Sequence, residues 1–87
     1  MKTFNLDCPN EVEDFIKEYS TIRGKRLANM LGYKGRGSVI KANYLSSYAW
    51  NKWTAMGLRK RGEIRQAASY EAICDRIYNQ MSDDIKW

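Results

Sequence analysis

From Val12 to Met81 the apolar residues recur at steps of three and four, with no sustained alternation. That period is the one a helix uses to bury a single face. Only residues 1–6 alternate, weakly, through Phe4 and Leu6, and a lone strand has no partner with which to build a sheet. The chain is therefore restricted to helices packed on helices. Four are expected, at about 10–19, 22–32, 38–56 and 63–81, as an all-α compact bundle forming one helical domain over 1–87, with residues 1–6 as a short extended N-terminal arm. The arm is expected to lie along the helices or to pair with another copy of the chain.

Each helix has a readable inner face. In the first, Val12, Phe15, Ile16 and Tyr19 repeat at helical spacing, and Asn10 with Glu13 has the spacing of a capping box. Ser20-Thr21 offers a cap to the second, whose face is Leu27, Met30 and Leu31. Ser38 offers a cap to the third. Its inward stripe is Ala42, Leu45, Ala49, Trp53 and Met56, beside a row of Ile40, Tyr44, Tyr48 and Lys52. Ser46-Ser47 leaves open a division into two shorter helices. Ala67, Tyr70, Ile73, Cys74, Ile77 and Met81 are expected inward in the fourth, before a polar tail ending in Trp87.

Composition narrows the function. The 87 residues include no histidine, which removes the commonest general base and zinc ligand. Cys8 and Cys74 have no CxxC partner and are expected to be free, mostly buried thiols, although one bridge is compatible with the sequence. Ser46 and Ser47 lack an activating base, and the carboxylates gather near the termini. No enzyme, cofactor or metal site is expected. The longest uncharged run, 42–51, is too short to span a membrane. With no secretory apolar segment at the start, the expected location is the cytoplasm.

The net charge of +5 is unevenly spread. Residues 1–20 hold two basic and five acidic side chains, 21–66 eleven and one, and 67–87 two and four. A basic middle between acidic ends attracts nucleic acid or an acidic partner. Part of it lies in the stretch Gly32-Tyr33-Lys34-Gly35-Arg36-Gly37-Ser38, where glycines let backbone N–H groups approach a phosphate at the start of a helix. The stretch matches neither the Walker loop nor GxGxxG. A second basic loop is expected at 57–63, with Arg59, Lys60 and Arg61. If the third helix is unbroken over 38–56 it is about 28 Å long and separates the two loops. If it breaks, they can share one patch.

Residues 27–32, Leu-Ala-Asn-Met-Leu-Gly, resemble the first half of a helix-turn-helix, with Ala28 four residues before Gly32 and Leu27 and Leu31 on the apolar side. Over about residues 22–46 the chain resembles DNA-binding helix-turn-helix proteins, notably small regulators of phages and prophages. The resemblance implies a recognition helix starting at Ser38, with Ser38, Lys41 and Asn43 toward a groove and Lys34 and Arg36 on phosphates. Apolar residues due at Ser38 and Lys41 arrive instead at Val39 and Ile40, so a lengthened turn is expected. In size and tryptophan content the chain also resembles accessory proteins of tailed phages.

The expected function is non-enzymatic nucleic-acid binding, to DNA or RNA, as a regulator or accessory factor of phage or mobile-element type. Arg23, Lys25, Arg26, Lys34, Arg36, Ser38, Lys41, Asn43, Arg59, Lys60 and Arg61 are the candidate contacts. The alternative is a phage-type inhibitor or adaptor that docks on a host protein of defence or transcription through Tyr48, Trp50 and Trp87. A homodimer is compatible with either. Trp53 is expected in the core, and Trp50 at the edge of the inward stripe.

Overall fold

The helical period becomes four helices: α1 (Pro9–Tyr19), α2 (Gly24–Leu31), α3 (Ser38–Lys60) and α4 (Ile64–Gln80), with a short 3-10 turn at Asp83–Ile85. The computed structural model describes residues 2–87, and no strand occurs among them. The architecture is all-α. α3 is the central element, about 34 Å long for its 23 residues, and α1, α2 and α4 all pack against it.

Ser46-Ser47 does not interrupt α3. The helix also runs four residues past the expected end, through Gly57 to Lys60. Most of the expected second basic loop is thus the last turn of a helix, where Arg59 and Lys60 suit the dipole. A glycine inside a helix costs about 0.5–1 kcal/mol. Packing of α4 along the same stretch of α3 offsets that cost.

Glycines end both helices that flank the turns. Gly32 adopts φ +82°, its N–H bonds to the Asn29 carbonyl, and the Tyr33 N–H reaches back to Ala28. Gly62 at φ +80° repeats the arrangement, with the Glu63 N–H bonding to Leu58. Both are Schellman closures, which satisfy carbonyls that a helix end leaves orphaned. The first also carries Tyr33 into the core, 4 % exposed.

The expected side-chain caps do not form. Cys8, Arg23 and Gly37 occupy the N-cap positions, none with a side-chain cap bond. Pro9 starts α1 one residue before Asn10. The positive φ of Gly24 and Gly37 sets the turns into α2 and α3, so Ser20-Thr21 lie outside a helix and Ser38 is already inside one.

The main core joins Leu6 of the arm to Val12, Phe15 and Tyr19 of α1, Leu27 and Leu31 of α2, and Ala42, Leu45, Tyr48 and Ala49 of α3. Cys74, Met81 and Ile85 close it from the C-terminal side. The arm lies on the helices: Phe4 packs edge-on to Phe15 at 5.1 Å, and the Lys2 N–H bonds to the Leu31 carbonyl. Beyond this core, Ala55, Leu58 and Ala67 are buried where α3 and α4 continue as a hairpin. The molecule is accordingly elongated, 42 × 25 × 18 Å.

Four expectations about burial need correction, the first being Met30, expected on the inner face of α2 but 39 % exposed. Trp53 is 45 % exposed, although it continues the row of Leu45 and Ala49. The eleven residues of α1 span only about 16 Å and cannot cover all of α3. Ile73 lies at the surface, and Tyr70 and Ile77 are half-buried, because α4 rests on one neighbour and needs only a narrow stripe. The end of the chain is packed rather than a free polar tail: Ile85 is buried, and the Trp87 ring lies 4.7 Å from Tyr48 and 4.9 Å from Tyr78.

Asp7 ties these ends together. It accepts hydrogen bonds from Tyr48 Oη at 2.6 Å and Trp87 Nε1 at 2.9 Å, with Lys52 Nζ 3.9 Å away. The Tyr48 bond foremost, then the Trp87 bond and the charge of Lys52, holds the Asp7 carboxyl below its ordinary value of 3.8. A carboxylate depressed in the folded state adds stability above its unfolded pKa and loses it as pH falls through the folded value. Asp7→Asn is expected to lower the urea midpoint at pH 7. The gap to the parent should close as pH drops well below 3.8, since both chains then carry a neutral group there. Urea titrations at a series of pH values measure the gap.

Candidate nucleic-acid interface

The basic middle of the chain separates into cations that have carboxylate partners and cations that have none. Lys41 Nζ lies 2.5 Å from Asp84, and Arg59 grips Glu71 with two bonds of 2.5 and 2.6 Å. Arg61 meets Glu63 at 3.3 Å, and Lys52 faces Asp7. The Arg59 hydrogen bonds lower the Glu71 pKa, and the Lys41 bond lowers that of Asp84. Arg23, Lys25, Arg26, Lys34, Arg36, Lys60 and Arg65 make no ion pair among the described residues, and all are exposed.

Their order in space follows from the chain. Lys34 and Arg36 sit in the six-residue turn 32–37, beside the start of α3. Lys25 and Arg26 lie in the first turn of α2, and Arg23 precedes it. Arg23 and Leu27 share a groove of about 300 Å³ with Asn43, Ser46, Ser47 and Trp50 of α3. The N-terminus of α2 thus lies beside the middle of α3, and its C-terminus connects back to the start of α3. Among the unpaired cations, Arg23 borders α3 near its midpoint, and Lys34 and Arg36 lie in the turn that precedes its first residue. Arg23, Lys25 and Arg26 crowd the positive end of the α2 dipole, where an anion is favoured over a cation.

On the exposed face of α3, Asn43, Ser47, Trp50 and Thr54 follow at steps of four, three and four, on one side of the helix. Trp50 and Trp53 meet edge to face, centroids 5.7 Å apart, 39 % and 45 % exposed. Past them a second groove of about 370 Å³ runs between α1 and α3, lined by Glu13, Trp53, Met56, Lys60 and Arg61 among others. The Thr54 hydroxyl bonds to the Trp50 carbonyl within the helix. Asn43, Ser46 and Ser47 donate no side-chain bond to another described residue.

Of the residues singled out from sequence, Arg23, Asn43 and Trp50 meet in one groove, while Lys25 and Arg26 follow Arg23 in the first turn of α2 and Lys34 and Arg36 lie in the turn before α3. Lys60 and Arg61 line the second groove at the far end of α3, so the two basic clusters do not form one patch. Lys41 and Arg59 are held by carboxylates from the C-terminal part of the chain. Ser38 is half-buried in the first turn of α3. Tyr48 and Trp87 are not surface anchors: Tyr48 is 3 % exposed, and both side chains serve the Asp7 junction. Trp53 was missed as a surface residue. The signal that could have found it is the mismatch between a short α1 and a long α3.

Cys8 and Cys74 are free thiols. Burial pushes Cys74 up to about 11, where it is protonated and inert. Among the described residues no group of three His, Cys, Asp or Glu side chains is placed to hold a metal ion, and no helix is long and apolar enough to cross a membrane. No protein-family profile, curated protein or solved structure matches the chain.

Proposed function

We propose that this protein is a small, non-enzymatic nucleic-acid-binding protein, a regulator or accessory factor of the kind carried by phages and mobile elements. The observation that carries the reading is the sorting of charge. The acidic groups of the two ends neutralise Lys41, Lys52 and Arg59, while Arg23, Lys25, Arg26, Lys34 and Arg36, all between the end of α1 and the start of α3, remain unpaired and solvated. Cations gathered without partners repel one another, and a polyanion that replaces its counterions relieves that repulsion. In this reading they bind phosphates, and Asn43 is the polar side chain placed to touch a base.

A second reading is favoured by the exposed Trp50–Trp53 pair. Tryptophan is enriched at protein binding hot spots, and the pair would anchor an inhibitor or adaptor on a host protein.

Binding of labelled random-sequence DNA, as duplex and as single strand, across a salt series tests the first reading. Affinity is expected to fall linearly with the logarithm of salt concentration. Absence of binding to both forms at low salt would reject it and leave the protein partner.

A further inference from the structure

We infer that the exposed face of α3 takes a single nucleic-acid strand, with bases stacked on Trp50 and Trp53. The inference rests on the nucleic-acid reading above and deepens it.

A duplex reader of the helix-turn-helix kind inserts the first turns of its second helix into a groove. Here those turns have few side chains to spare. Ser38 and Val39 are half-buried, Lys41 is held by Asp84, and Tyr44 packs against the core. The polar side chains without protein partners, Asn43, Ser46 and Ser47, lie further along and border Trp50. An indole beside amides and hydroxyls is poorly used by a duplex, whose base faces are hidden in the stack. It suits an unpaired base, which offers a face to the ring and an edge to the polar groups.

Charge selects the occupant. Arg23 stands at one end of this stretch and Lys60 at the other, both without carboxylate partners, with Trp50 and Trp53 between them. Asn43 and Lys60 are about 26 Å apart along α3. Glu13 of α1 borders the far groove and repels phosphates there, so the backbone is steered to the side of α3 away from α1. Cation, stacking platform and cation in line are the features of a single-strand track.

The test uses the full chain at low salt. Oligo(dT) and oligo(U) of twelve nucleotides are titrated beside a duplex of equal length, with anisotropy and tryptophan fluorescence recorded together. The better single strand is expected to bind about tenfold or more tighter than the duplex and to quench the fluorescence. Trp50→Ala is expected to weaken single-strand binding by about 5- to 100-fold, the usual effect of removing one stacking ring, with duplex binding within about twofold of the parent. Trp50→Phe keeps a ring and should recover most of the loss. Circular dichroism verifies that the variants fold. Equal affinity for both forms, no quenching and a neutral Trp50→Ala would overturn the stacking track while leaving nucleic-acid binding intact. Failure of every probe to bind would overturn the binding reading as well.

Discussion

Replacing Arg23, Lys25, Arg26, Lys34 and Arg36 together by glutamine is expected to abolish most of the salt dependence of nucleic-acid binding. If each neutralises one phosphate, five contacts give a slope of about −3.5 for a single strand, or roughly a 100-fold loss of affinity between about 50 and 200 mM salt. In the variant that slope should fall to about one or less, with low-salt affinity down by about two orders of magnitude. The fold should survive, because all five side chains are exposed and none makes an ion pair among the described residues. The melting temperature should hold or rise, since three of the charges oppose the α2 dipole and all repel one another. The matching control is Lys41→Gln with Arg59→Gln. Both belong to the same basic middle, but Asp84 and Glu71 already occupy them. Their loss should change affinity by no more than about threefold. Equal effects from the two sets would mean that binding follows total charge and not the surface described above.

Leu6→Ala is expected to remove a large share of the protein's stability. Leu6 is 0 % exposed, yet it belongs to a segment outside every helix. Truncating a buried leucine to alanine costs about 2–5 kcal/mol, from lost transfer energy and the cavity left behind. A chain of this size is expected to hold only about 5–8 kcal/mol in total. The loss should also loosen Phe4 from Phe15 and Tyr19, which meet in a cluster of rings 4.9 to 6.2 Å apart. Ile40→Ala, at a side chain 61 % exposed, should change stability by less than about 0.5 kcal/mol. Urea unfolding of the two variants side by side measures the contrast. Comparable stability would show that the arm is not part of the core.

Much of the fold was legible from periodicity. The rows through Val12 and Tyr19, Leu27 and Leu31, Ala42 and Ala49, and Ala67 and Cys74 each lie on the buried side of the expected helix. Gly32 was readable as a stop because a helix end favours a residue that tolerates positive φ, whereas Gly62, expected inside the loop at 57–63, is the glycine that closes α3. Gly57 misled for the same reason: a glycine in an open helical position resembles a terminator until a neighbour holds the helix together. The caps at Asn10, Ser20-Thr21 and Ser38 failed because Pro9, Gly24 and Gly37 set the helix starts through backbone geometry, which outweighed a side-chain bond.

The candidate site was legible only in part. Local order was enough to mark Arg23, Lys34, Arg36 and Asn43, which lie near one another in sequence. It was not enough to remove Lys41 and Arg59, whose partners Asp84 and Glu71 are 43 and 12 residues away. Tyr48 was assigned to the surface because its partner, Asp7, lies 41 residues earlier, and Trp87 because it bonds across 80. Trp53 was assigned to the core because its own helix gives it a buried register.

Taken alone, the order of residues determined that this chain is four helices, that Gly32 closes the second of them, and that its charge is basic in the middle and acidic at both ends. Those properties come from steric preferences and from spacing within a few residues, so short stretches carry them. Only the tertiary structure decided which cations are neutralised, which tryptophans face water, and that the two ends of the chain meet at Asp7. Each of these depends on which distant groups come within a few ångströms, where Coulomb and hydrogen-bond energies become appreciable.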